Sequence, residues 1–347
     1  MIVKLKNNLT KEKFNELTSL ISSLSINFHF IEKENVLVLP KFNEPTIFKN
    51  REQVESILEI ETPFQLASKI WKTKSSIKID DLQINSDTFT IIAGPCSVEN
   101  EKQIFDTAEF ISGLGVKFIR GGAFKPRTSP YSFRGLGIEG LKLLKNAAQK
   151  YELKVVTEIL DLRFLDEVYQ YADILQVGSR NMQNFTLLHE LGKLEKPILL
   201  KRGMNAKVYE WLLAAEYILS RGNQNVILCE RGIRSFDPQS RNVLDIGVIP
   251  IMKELSHLPI IVDPSHGTGI ASRVKPLSLA ATAGGADGLI IEIHPEPAKA
   301  LSDKEQALNF SEFKDLLNAV DLLLSHLPEP KTALHKKNPS LVNLQVL

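Results

Sequence analysis

The stretch of residues 154–177, KVVTEILDLRFLDEVYQYADILQV, shows the unit from which most of this chain is built. Residues 154–159 form an apolar, β-branched run that predicts a strand, and residues 163–171 carry apolar side chains at helical spacing. Residues 174–177 form a second apolar run. Because strands joined through a helix usually lie parallel in one sheet, the stretch predicts a βαβ unit whose strands are covered by helices.

The same alternation recurs along the chain. The apolar runs that predict strands are 89–93, 117–120, 154–159, 174–177, 197–201, 226–230, 259–262 and 288–293. The amphipathic segments between them include 102–113, 141–151, 163–171, 185–191, 208–220 and 275–284. Eight such units are the number that closes a (β/α)8 TIM barrel, which is the α/β fold we expect. An open doubly wound sheet is the alternative, but Gly94-Pro95-Cys96-Ser97 after the first run lacks the glycine pattern of a nucleotide-binding turn.

Residues 1–93 have a different composition, since all 19 glycines lie between Gly94 and Gly288. The elements expected before the barrel are strands at 2–5, 26–30 and 36–39, a helix at 10–24 with Thr10 as a possible N-cap, and a second helix at 51–58. This order predicts a small α+β domain. The polar, lysine-rich residues 72–87 are interpreted as a linker. The predicted division is 1–80 for the small domain, 81–327 for the barrel and 328–347 for a C-terminal tail.

Composition excludes several classes of protein. Of the 347 residues, 43% are apolar and 24% are charged, which is typical of a folded globular protein. The formal net charge of +1 provides no overall field for nucleic acid or an anionic membrane, and neither partner is expected. Only Cys96 and Cys229 are present, which argues against a disulfide framework and for a reducing cytosol. No apolar run approaches the roughly 18 residues of a membrane span, and the N-terminus lacks a signal-peptide pattern, so we expect a cytoplasmic protein.

A polar residue stands at or just past the end of each predicted strand. In chain order these residues are Cys96, Arg120, Glu158, Arg180, Lys201, Arg231, His266 and Glu292. In a parallel barrel the C-terminal strand ends meet at one mouth, where active sites lie. Because an unpaired charge on a buried strand is costly, these endings predict a functional site at that mouth.

One group of residues near these endings is cationic. It consists of Arg120, Lys125, Arg127, Arg180, Lys201 and Arg231. A concentration of positive charge in a nearly neutral chain repels itself unless anions bind, so we expect ligands with several negative charges. Arginine forks and lysine point charges together suit phosphate and carboxylate. For any single member, a surface ion pair is the alternative.

The second group comprises Cys96, His266, Glu292 and, shortly after the last strand, Asp303. A thiolate, an imidazole and two carboxylates suit a first-row divalent metal such as manganese, iron, cobalt or zinc, with one position open for substrate. Taken singly, Cys96 has the alternative of a buried apolar side chain and His266 that of a core histidine. The residues interpreted as structural or surface are Cys229, His189, His257 and His294.

Five motifs carry a resemblance to a known family. They are Ala93-Gly94-Pro95-Cys96-Ser97, RGGAFKPRTSP at 120–130, Leu200-Lys201-Arg202-Gly203, Cys229-Glu230-Arg231-Gly232 and Asp263-Pro264-Ser265-His266. Residues 88–325 resemble the 3-deoxy-D-arabino-heptulosonate 7-phosphate (DAHP) synthases, in the microbial subgroup that includes the octulosonate 8-phosphate synthases. The stretch 120–137 is the most specific part of the resemblance.

The resemblance implies a transferase that condenses phosphoenolpyruvate with erythrose 4-phosphate, releases phosphate and opens the shikimate pathway. The residues that it implies for the divalent metal are Cys96, His266, Glu292 and Asp303. The residues that it implies for phosphoenolpyruvate are Arg120, Lys125, Arg180, Lys201 and Arg231, with Glu158 nearby. It assigns the aldose phosphate to Arg127 and Thr128. The expected catalytic residues are Lys125, Cys96 and His266.

Two alternatives stand beside this function. The octulosonate 8-phosphate synthases share the barrel, the metal set and the phosphoenolpyruvate site but use a five-carbon aldose phosphate. They typically have Lys-Ala-Asn-Arg-Ser where this chain has Lys125-Pro126-Arg127-Thr128-Ser129, which favours the shorter sugar here. The other alternative is a barrel that has lost its chemistry and serves as a binding or regulatory protein, but every family position that can be placed holds the expected residue type.

Residues 1–80 resemble the ferredoxin-like regulatory domain that some of these synthases carry ahead of the barrel. The resemblance implies feedback inhibition by an aromatic amino acid, with a role in assembly as the alternative because this segment has no glycine for a ligand loop. It also implies a homotetramer. The tail, 328–347, carries no motif and is expected to be ordered only in an assembly.

Overall fold

The N-terminal part of the molecule is a four-stranded antiparallel sheet with one α-helix against it. The structure is a computed structural model that describes residues 1–125, 129, 131–328 and 331–336. The elements of this part are β1 (Ile2–Leu5), α1 (Lys11–Ser23), β2 (His29–Ile31), β3 (Val36–Val38) and β4 (Val54–Leu58). The strand order β2-β3-β1-β4 is that of a ferredoxin-like split βαβ arrangement, which confirms the predicted α+β class.

Helix α1 begins where the sequence predicted. The Thr10 hydroxyl accepts a hydrogen bond from the backbone N–H of Lys13, which satisfies one of the donors left free at a helix N-terminus. Leu17 and Ile21 lie one turn apart and are buried in the same apolar cluster as Val3 of β1. The helix therefore covers one face of the small sheet.

The second predicted helix, at 51–58, is wrong, because this segment contains strand β4. It pairs antiparallel with β1, with Ile2 opposite Leu58 and Val3 opposite Ile57. Val54 and Ile57 are β-branched and fit a pleated strand, so the unpaired edge of β1 outweighs the local helical pattern.

Part of the predicted linker is also structured. Within 72–87, β5 (Ile77–Ile79) and β6 (Leu82–Ile84) form an antiparallel hairpin. Ile77 and Ile84 are buried in one apolar cluster with residues from the barrel interior. The hairpin thus closes one end of the barrel, and the predicted boundary at residue 80 falls in its turn.

The remainder forms the predicted TIM barrel. Its strands are β7 (Thr88–Gly94), β8 (Phe118–Arg120), β9 (Lys154–Glu158), β10 (Ile174–Val177), β11 (Ile198–Lys201), β12 (Val226–Glu230), β13 (Ile260–Val262) and β14 (Gly288–Glu292). Each strand pairs in parallel with the next, and β14 pairs in parallel with β7, which closes the sheet on itself. The sequence located all eight strands to within a residue or so at each end.

Helices surround the barrel. They are α2 (Glu101–Gly113), α3 (Ile138–Lys150), α4 (Leu165–Tyr171), α5 (Phe185–Leu191), α6 (Val208–Leu219), α7 (Val248–Leu255), α8 (Pro264–Thr268), α9 (Ala271–Ala283) and α10 (Phe310–Leu324). A short strand, β15 (Thr332–Ala333), pairs in parallel with the start of β7. This part of the predicted tail is therefore ordered within a single chain, contrary to the expectation that it needs an assembly. Among the described residues, no helix has both the length and the apolar character needed to cross a membrane.

The barrel strands alternate between two apolar layers. Ile92 and Phe118 lie in the inner cluster that the hairpin covers, whereas their neighbours Ile91 and Ile119 belong to the cluster shared with the helices. Cys229 is part of the inner cluster and is fully buried there, in agreement with its structural interpretation. The inner layer is filled by side chains at one end, which leaves the C-terminal mouth for polar groups.

The small domain is attached to the barrel through the segment that follows β4. The carboxylate of Glu216 on α6 accepts hydrogen bonds from three successive backbone N–H groups, those of Gln65, Leu66 and Ala67. His257 of the barrel also contacts this segment, at the carbonyl oxygen of Leu66 (2.7 Å). These contacts join the two parts of the chain beside the sheet of the small domain, whose residues Ile31 and Val38 share an apolar cluster with Leu66.

Candidate active site

Six of the eight polar residues predicted at the strand ends line one cavity at the C-terminal mouth of the barrel, and the other two, Cys96 and Glu292, lie beside it. The residues that line it are Arg120, Lys125, Glu158, Gln176, Gly178, Ser179, Arg180, Lys201, Met204, Arg231, Arg241, His266 and Asp303. Because all eight strands are parallel, their C-terminal ends share one side of the barrel. The structure therefore brings side chains that are widely separated in the chain into one pocket.

The four predicted metal-binding residues lie together at the edge of this cavity. Cys96 Sγ and one carboxylate oxygen each from Glu292 and Asp303 lie within 4.8 Å of one another. The Cys96 thiol is 3.3 Å from Asp303 Oδ2. His266 Nε2 lies 3.4 Å from Glu292 Oε1 and 3.8 Å from Asp303 Oδ2.

His266 is oriented by a residue that the sequence analysis did not select. Its Nδ1 lies 2.8 Å from Oδ2 of Asp263, and Oδ1 of the same carboxylate accepts a hydrogen bond from the backbone N–H of His266 at the start of α8. Burial lowers the pKa of His266, although Asp263 opposes this shift, and a neutral imidazole is the form that binds metal. The arrangement turns Nε2 towards Glu292 and Asp303, as a carboxylate does for metal-binding histidines.

Glu292 is held as an ionised carboxylate in the protein interior. Burial by itself raises its pKa, but the charges of His266, Arg120 and Lys125 outweigh this effect and lower the pKa to about 2. Arg120 and the side-chain amide of Gln306 both donate hydrogen bonds to it.

Cys96 has the opposite character. Burial raises the pKa of its thiol to about 12, and the negative charge of Glu292 adds to the shift. Lys125 Nζ donates to the carbonyl oxygen of Cys96 (2.9 Å) and lies 3.0 Å from its sulfur. Without a further cation, the thiol stays protonated at neutral pH.

A thiol, an imidazole and two carboxylates in one cluster, with Cys96 and Glu292 buried and the other two half-buried, fit a divalent first-row metal. These donor types are the ones that such an ion accepts, and a bound cation would favour the thiolate that burial disfavours. The metal-binding cluster, defined here as Cys96, His266, Glu292 and Asp303, is thus chemically suited to the predicted ion.

Five of the six predicted cationic residues line the cavity, and two of them, Arg120 and Lys125, contact the metal-binding cluster. This anion-binding wall consists of Arg120, Lys125, Arg180, Lys201 and Arg231. Lys201 pairs with Asp263, and burial lowers the pKa of Arg231 despite the nearby charge of Asp263. The Nε of Arg120 is buried and has no hydrogen-bond partner among the residues that the structure describes. A buried, unpaired donor beside other cations fits a site for an anionic ligand.

Glu158 also lines the cavity, and its carboxylate has room there because residue 178 is glycine. A Cβ atom at Gly178 would stand 2.0 Å from Glu158 Oε1, so any larger residue would displace the carboxylate. Arg241 also lines the cavity and lies 3.9 Å from Asp303, although it follows no strand end and was not selected from the sequence. The predicted residues Arg127 and Thr128 lie outside the described residues.

Comparison with known proteins identifies the family. The family model described as "DAHP synthetase I family" matches residues 70–326. A phospho-2-dehydro-3-deoxyheptonate aldolase of Thermotoga maritima is 47% identical over 329 residues, which cover 93% of this chain and 97% of that protein. A 2-dehydro-3-deoxyphosphooctonate aldolase of Francisella philomiragia is 31% identical over 275 residues, 73% of this chain and 99% of that protein.

Solved structures agree with these matches. The crystal structure of the Thermotoga maritima phospho-2-dehydro-3-deoxyheptonate aldolase (DAHP synthase) superposes with a TM-score of 0.77 at 46% identity, covering 95% of this chain and 98% of that one. A truncated form of 3-deoxy-D-arabino-heptulosonate 7-phosphate synthase from the same organism gives a TM-score of 0.73 at 49% identity, over 78% of this chain and 99% of that one. The barrel, its small N-terminal sheet and the sequence matches together show that this chain belongs to the DAHP synthetase I family.

Proposed function

We propose that this protein condenses phosphoenolpyruvate with erythrose 4-phosphate and releases phosphate, as a 3-deoxy-7-phosphoheptulonate synthase. The observation that carries the proposal is the shared cavity, in which the anion-binding wall adjoins the metal-binding cluster through the contact of Arg120 with Glu292. The anion-binding wall suits two phosphorylated substrates, and the metal-binding cluster suits the ion that assists attack on an aldehyde. The names of the 47% identical relative and of the similar structures support the same reaction.

The anion-binding wall is proposed to hold phosphoenolpyruvate. Its guanidinium and ammonium groups offset the carboxylate and phosphate charges, and Lys201 is kept in place by Asp263. We assign the phosphate of the aldose to Arg127 and Thr128, and place Glu158 beside the phosphoenolpyruvate. In this arrangement the two substrates lie with their reacting carbons between the wall and the metal-binding cluster.

The metal-binding cluster is proposed to hold one divalent ion through Cys96, His266, Glu292 and Asp303. Such an ion would supply Lewis-acid polarisation of the aldehyde carbonyl of the sugar. Manganese, iron, cobalt and zinc all accept this mixed set of donors. Asp263 fixes the ring of His266, and Arg120 holds the carboxylate of Glu292.

The reaction needs a proton carrier near the substrates. The enol carbon of phosphoenolpyruvate forms a bond to the aldehyde carbon, water adds to the carbon that bears the phosphate, and phosphate then leaves. We propose that Lys125 holds or delivers a proton during these steps, since its Nζ lies at the junction of the wall and the cluster. Cys96 and His266 are the other residues to which we assign a catalytic role.

The octulosonate 8-phosphate synthase reaction is the second candidate. The relatives with that name are 30–33% identical, against 47% for the heptonate aldolase. We therefore expect phosphate release with phosphoenolpyruvate and erythrose 4-phosphate that clearly exceeds the rate with arabinose 5-phosphate. A preference for arabinose 5-phosphate would reverse the assignment, and no phosphate release with either sugar would favour a binding protein that has lost its chemistry.

The small domain is proposed to bind an aromatic amino acid that inhibits the enzyme, in a homotetramer. The ferredoxin-like strand order supports a regulatory domain of the predicted kind. Inhibition of the full chain by tyrosine or phenylalanine, lost on deletion of residues 1–59, is the expected result. This deletion leaves the hairpin of β5 and β6 in the barrel, and inhibition that survives it would place the effector elsewhere. Light scattering would test the tetramer.

A reducing cytosol is the proposed location. Both Cys96 and Cys229 are free thiols in the structure, and the proposed metal site requires Cys96 in this form. Oxidation of Cys96 would remove one metal ligand.

A further inference from the structure

Two members of the metal-binding cluster lie next to buried serines that contact each other. Ser97 follows Cys96 after strand β7, and Ser302 precedes Asp303 in the loop after β14. Their hydroxyl oxygens are 2.6 Å apart, and the two residues are 0% and 5% exposed. This hydrogen bond joins the two loops directly beside the residues proposed to bind metal.

A third serine makes the corresponding link on the other side of the cluster. Ser265 precedes His266, is fully buried, and accepts a hydrogen bond from the backbone N–H of Glu292 at 3.0 Å. Ser265 thus ties the segment that carries His266 to the end of the strand that carries Glu292. The Ser97–Ser302 hydrogen bond therefore links the segments of Cys96 and Asp303, and the Ser265 hydrogen bond links those of His266 and Glu292.

The loop that carries Asp303 has a strained backbone that contacts from neighbouring residues hold in place. Asp303 has φ of 49°, in the left-handed region that a residue other than glycine adopts at some cost. Glu99 helps to hold the loop by accepting hydrogen bonds from the backbone N–H of Leu301 (2.8 Å) and the hydroxyl of Ser97 (3.3 Å). The position of Asp303 therefore depends on contacts made by its neighbours.

We infer that Ser97, Ser265 and Ser302 are positioning residues that hold the metal-binding cluster at the spacing one divalent ion requires. This inference rests on the proposed metal site. Ligands that are held in place before the ion arrives bind it more tightly, because less conformational freedom is lost on binding. Loss of a polar group that orients metal ligands typically costs 10–100-fold in metal affinity.

The test is a titration of the metal-free full-length protein with two ions. Binding of Mn²⁺ is measured by calorimetry, and binding of Co²⁺ is measured by the absorption of the cobalt–thiolate bond. The single variants are Ser97→Ala, Ser302→Ala and Ser265→Ala, and the double variants combine Ser302→Ala with each of the other two. Ser278→Ala is the matched control, because Ser278 is also fully buried but lies on α9, where its hydroxyl bonds to Val274 within the helix. Thermal unfolding of each metal-free variant shows whether it folds.

We expect the dissociation constant for Mn²⁺ to rise by about 10–100-fold in each single variant at the three sites, with no change in the control. Ser97→Ala and Ser302→Ala remove the same hydrogen bond, so the double variant should bind no more weakly than the weaker single variant. In the double variant of Ser265→Ala and Ser302→Ala, the two fold-increases in the dissociation constant should multiply, because the two substitutions remove separate hydrogen bonds. Phosphate release should return to near the wild-type rate at saturating Mn²⁺.

Unchanged affinity in the serine variants, with a wild-type protein that binds Mn²⁺ normally, would overturn this inference and leave the proposed reaction standing. The inference would also be overturned if the fold-increases in the dissociation constant caused by Ser97→Ala and Ser302→Ala multiplied in their double variant. Loss of the shared hydrogen bond would then not explain the weaker metal binding. A wild-type protein that binds no Mn²⁺ or Co²⁺ would contradict the proposed metal site itself, and the positioning role with it.

Discussion

The guanidinium of Arg120 donates to the carboxylate of Glu292, and this ion pair joins the anion-binding wall to the metal-binding cluster. The two side chains are only 4% and 1% exposed. Each charge is held in the interior by the other, so a change at either one is expected to affect both substrate binding and the metal site.

Replacement of Arg120 should therefore destabilise the protein as well as inactivate it. Removing one partner of a buried ion pair leaves an uncompensated charge and costs about 3–5 kcal/mol. We expect Arg120→Met to lower the free energy of unfolding of the metal-free protein by that amount, measured by urea denaturation. The double variant with Glu292→Gln should lose much less than the sum of the single variants.

Arg163→Met is the control for this experiment. Arg163 pairs with Asp161 at the surface, and its side chain is 80% exposed. Its loss should change stability far less than the loss of Arg120. Equal effects of the two substitutions would contradict the importance assigned to the buried pair.

Substitution of Cys96 should abolish metal-dependent turnover while the barrel remains folded. Cys96→Ala removes the single thiol of the metal-binding cluster, so the cobalt–thiolate absorption and phosphate release should both disappear. Cys229→Ala is the matched control, since Cys229 is also buried but lies in the inner apolar layer. Full phosphate release by Cys96→Ala stripped of metal would refute the ligand assignment.

Lys125→Met should lose activity with little loss of secondary structure. Removal of a group that transfers a proton in the transition state typically reduces the rate by about 10²–10⁴-fold. The measurement is the rate of phosphate release at saturating substrates and metal, with circular dichroism to check folding. Lys102→Met, at an exposed position on α2, should retain the wild-type rate. Wild-type turnover by Lys125→Met would remove this residue from the mechanism.

His257 should make the protein less stable in acid. Burial lowers its pKa to about 4 from the ordinary value of 6.5. Nε2 donates to the carbonyl oxygen of Leu66, so Nδ1 accepts from the hydroxyl of Ser75, and the ring has no place for a second proton. The stability contributed by the neutral ring is fully present above pH 6.5 and is lost as the pH falls towards 4, by about 3 kcal/mol in total.

The pH prediction is checked by comparing the free energy of unfolding of wild type and His257→Gln between pH 7 and pH 4. The difference between the two proteins isolates the histidine from the carboxylates that titrate in the same range. We expect the wild-type curve to fall more steeply over this interval. Parallel curves would show that His257 is protonated in the folded protein.

The barrel could be predicted from the sequence because each of its strands is a nearly continuous apolar run. The runs at 174–177 and 226–230 coincide with β10 and β12, since burial on both faces leaves little freedom in composition. The segment 51–58 was misassigned because its pairing with β1 is a tertiary effect. The hairpin of β5 and β6 was missed because its polar outer residues hide the buried isoleucines.

The convergence of the predicted site residues follows from the same rule, since parallel strands place their C-terminal ends together. What the sequence could not reveal is how these side chains contact one another. Asp263 stood within a recognised motif, yet its bonds to both His266 and Lys201 depend on the turn into α8. The Ser97–Ser302 hydrogen bond joins residues 205 positions apart, through a loop with no periodic pattern.

A crystal structure of the full-length protein with Mn²⁺ and phosphoenolpyruvate would test the central claim most directly. We predict one ion bound by Cys96, His266, Glu292 and Asp303, with the carboxylate and phosphate of phosphoenolpyruvate on Arg120, Lys201 and Arg231. An ion bound elsewhere, or phosphoenolpyruvate outside this cavity, would contradict the account.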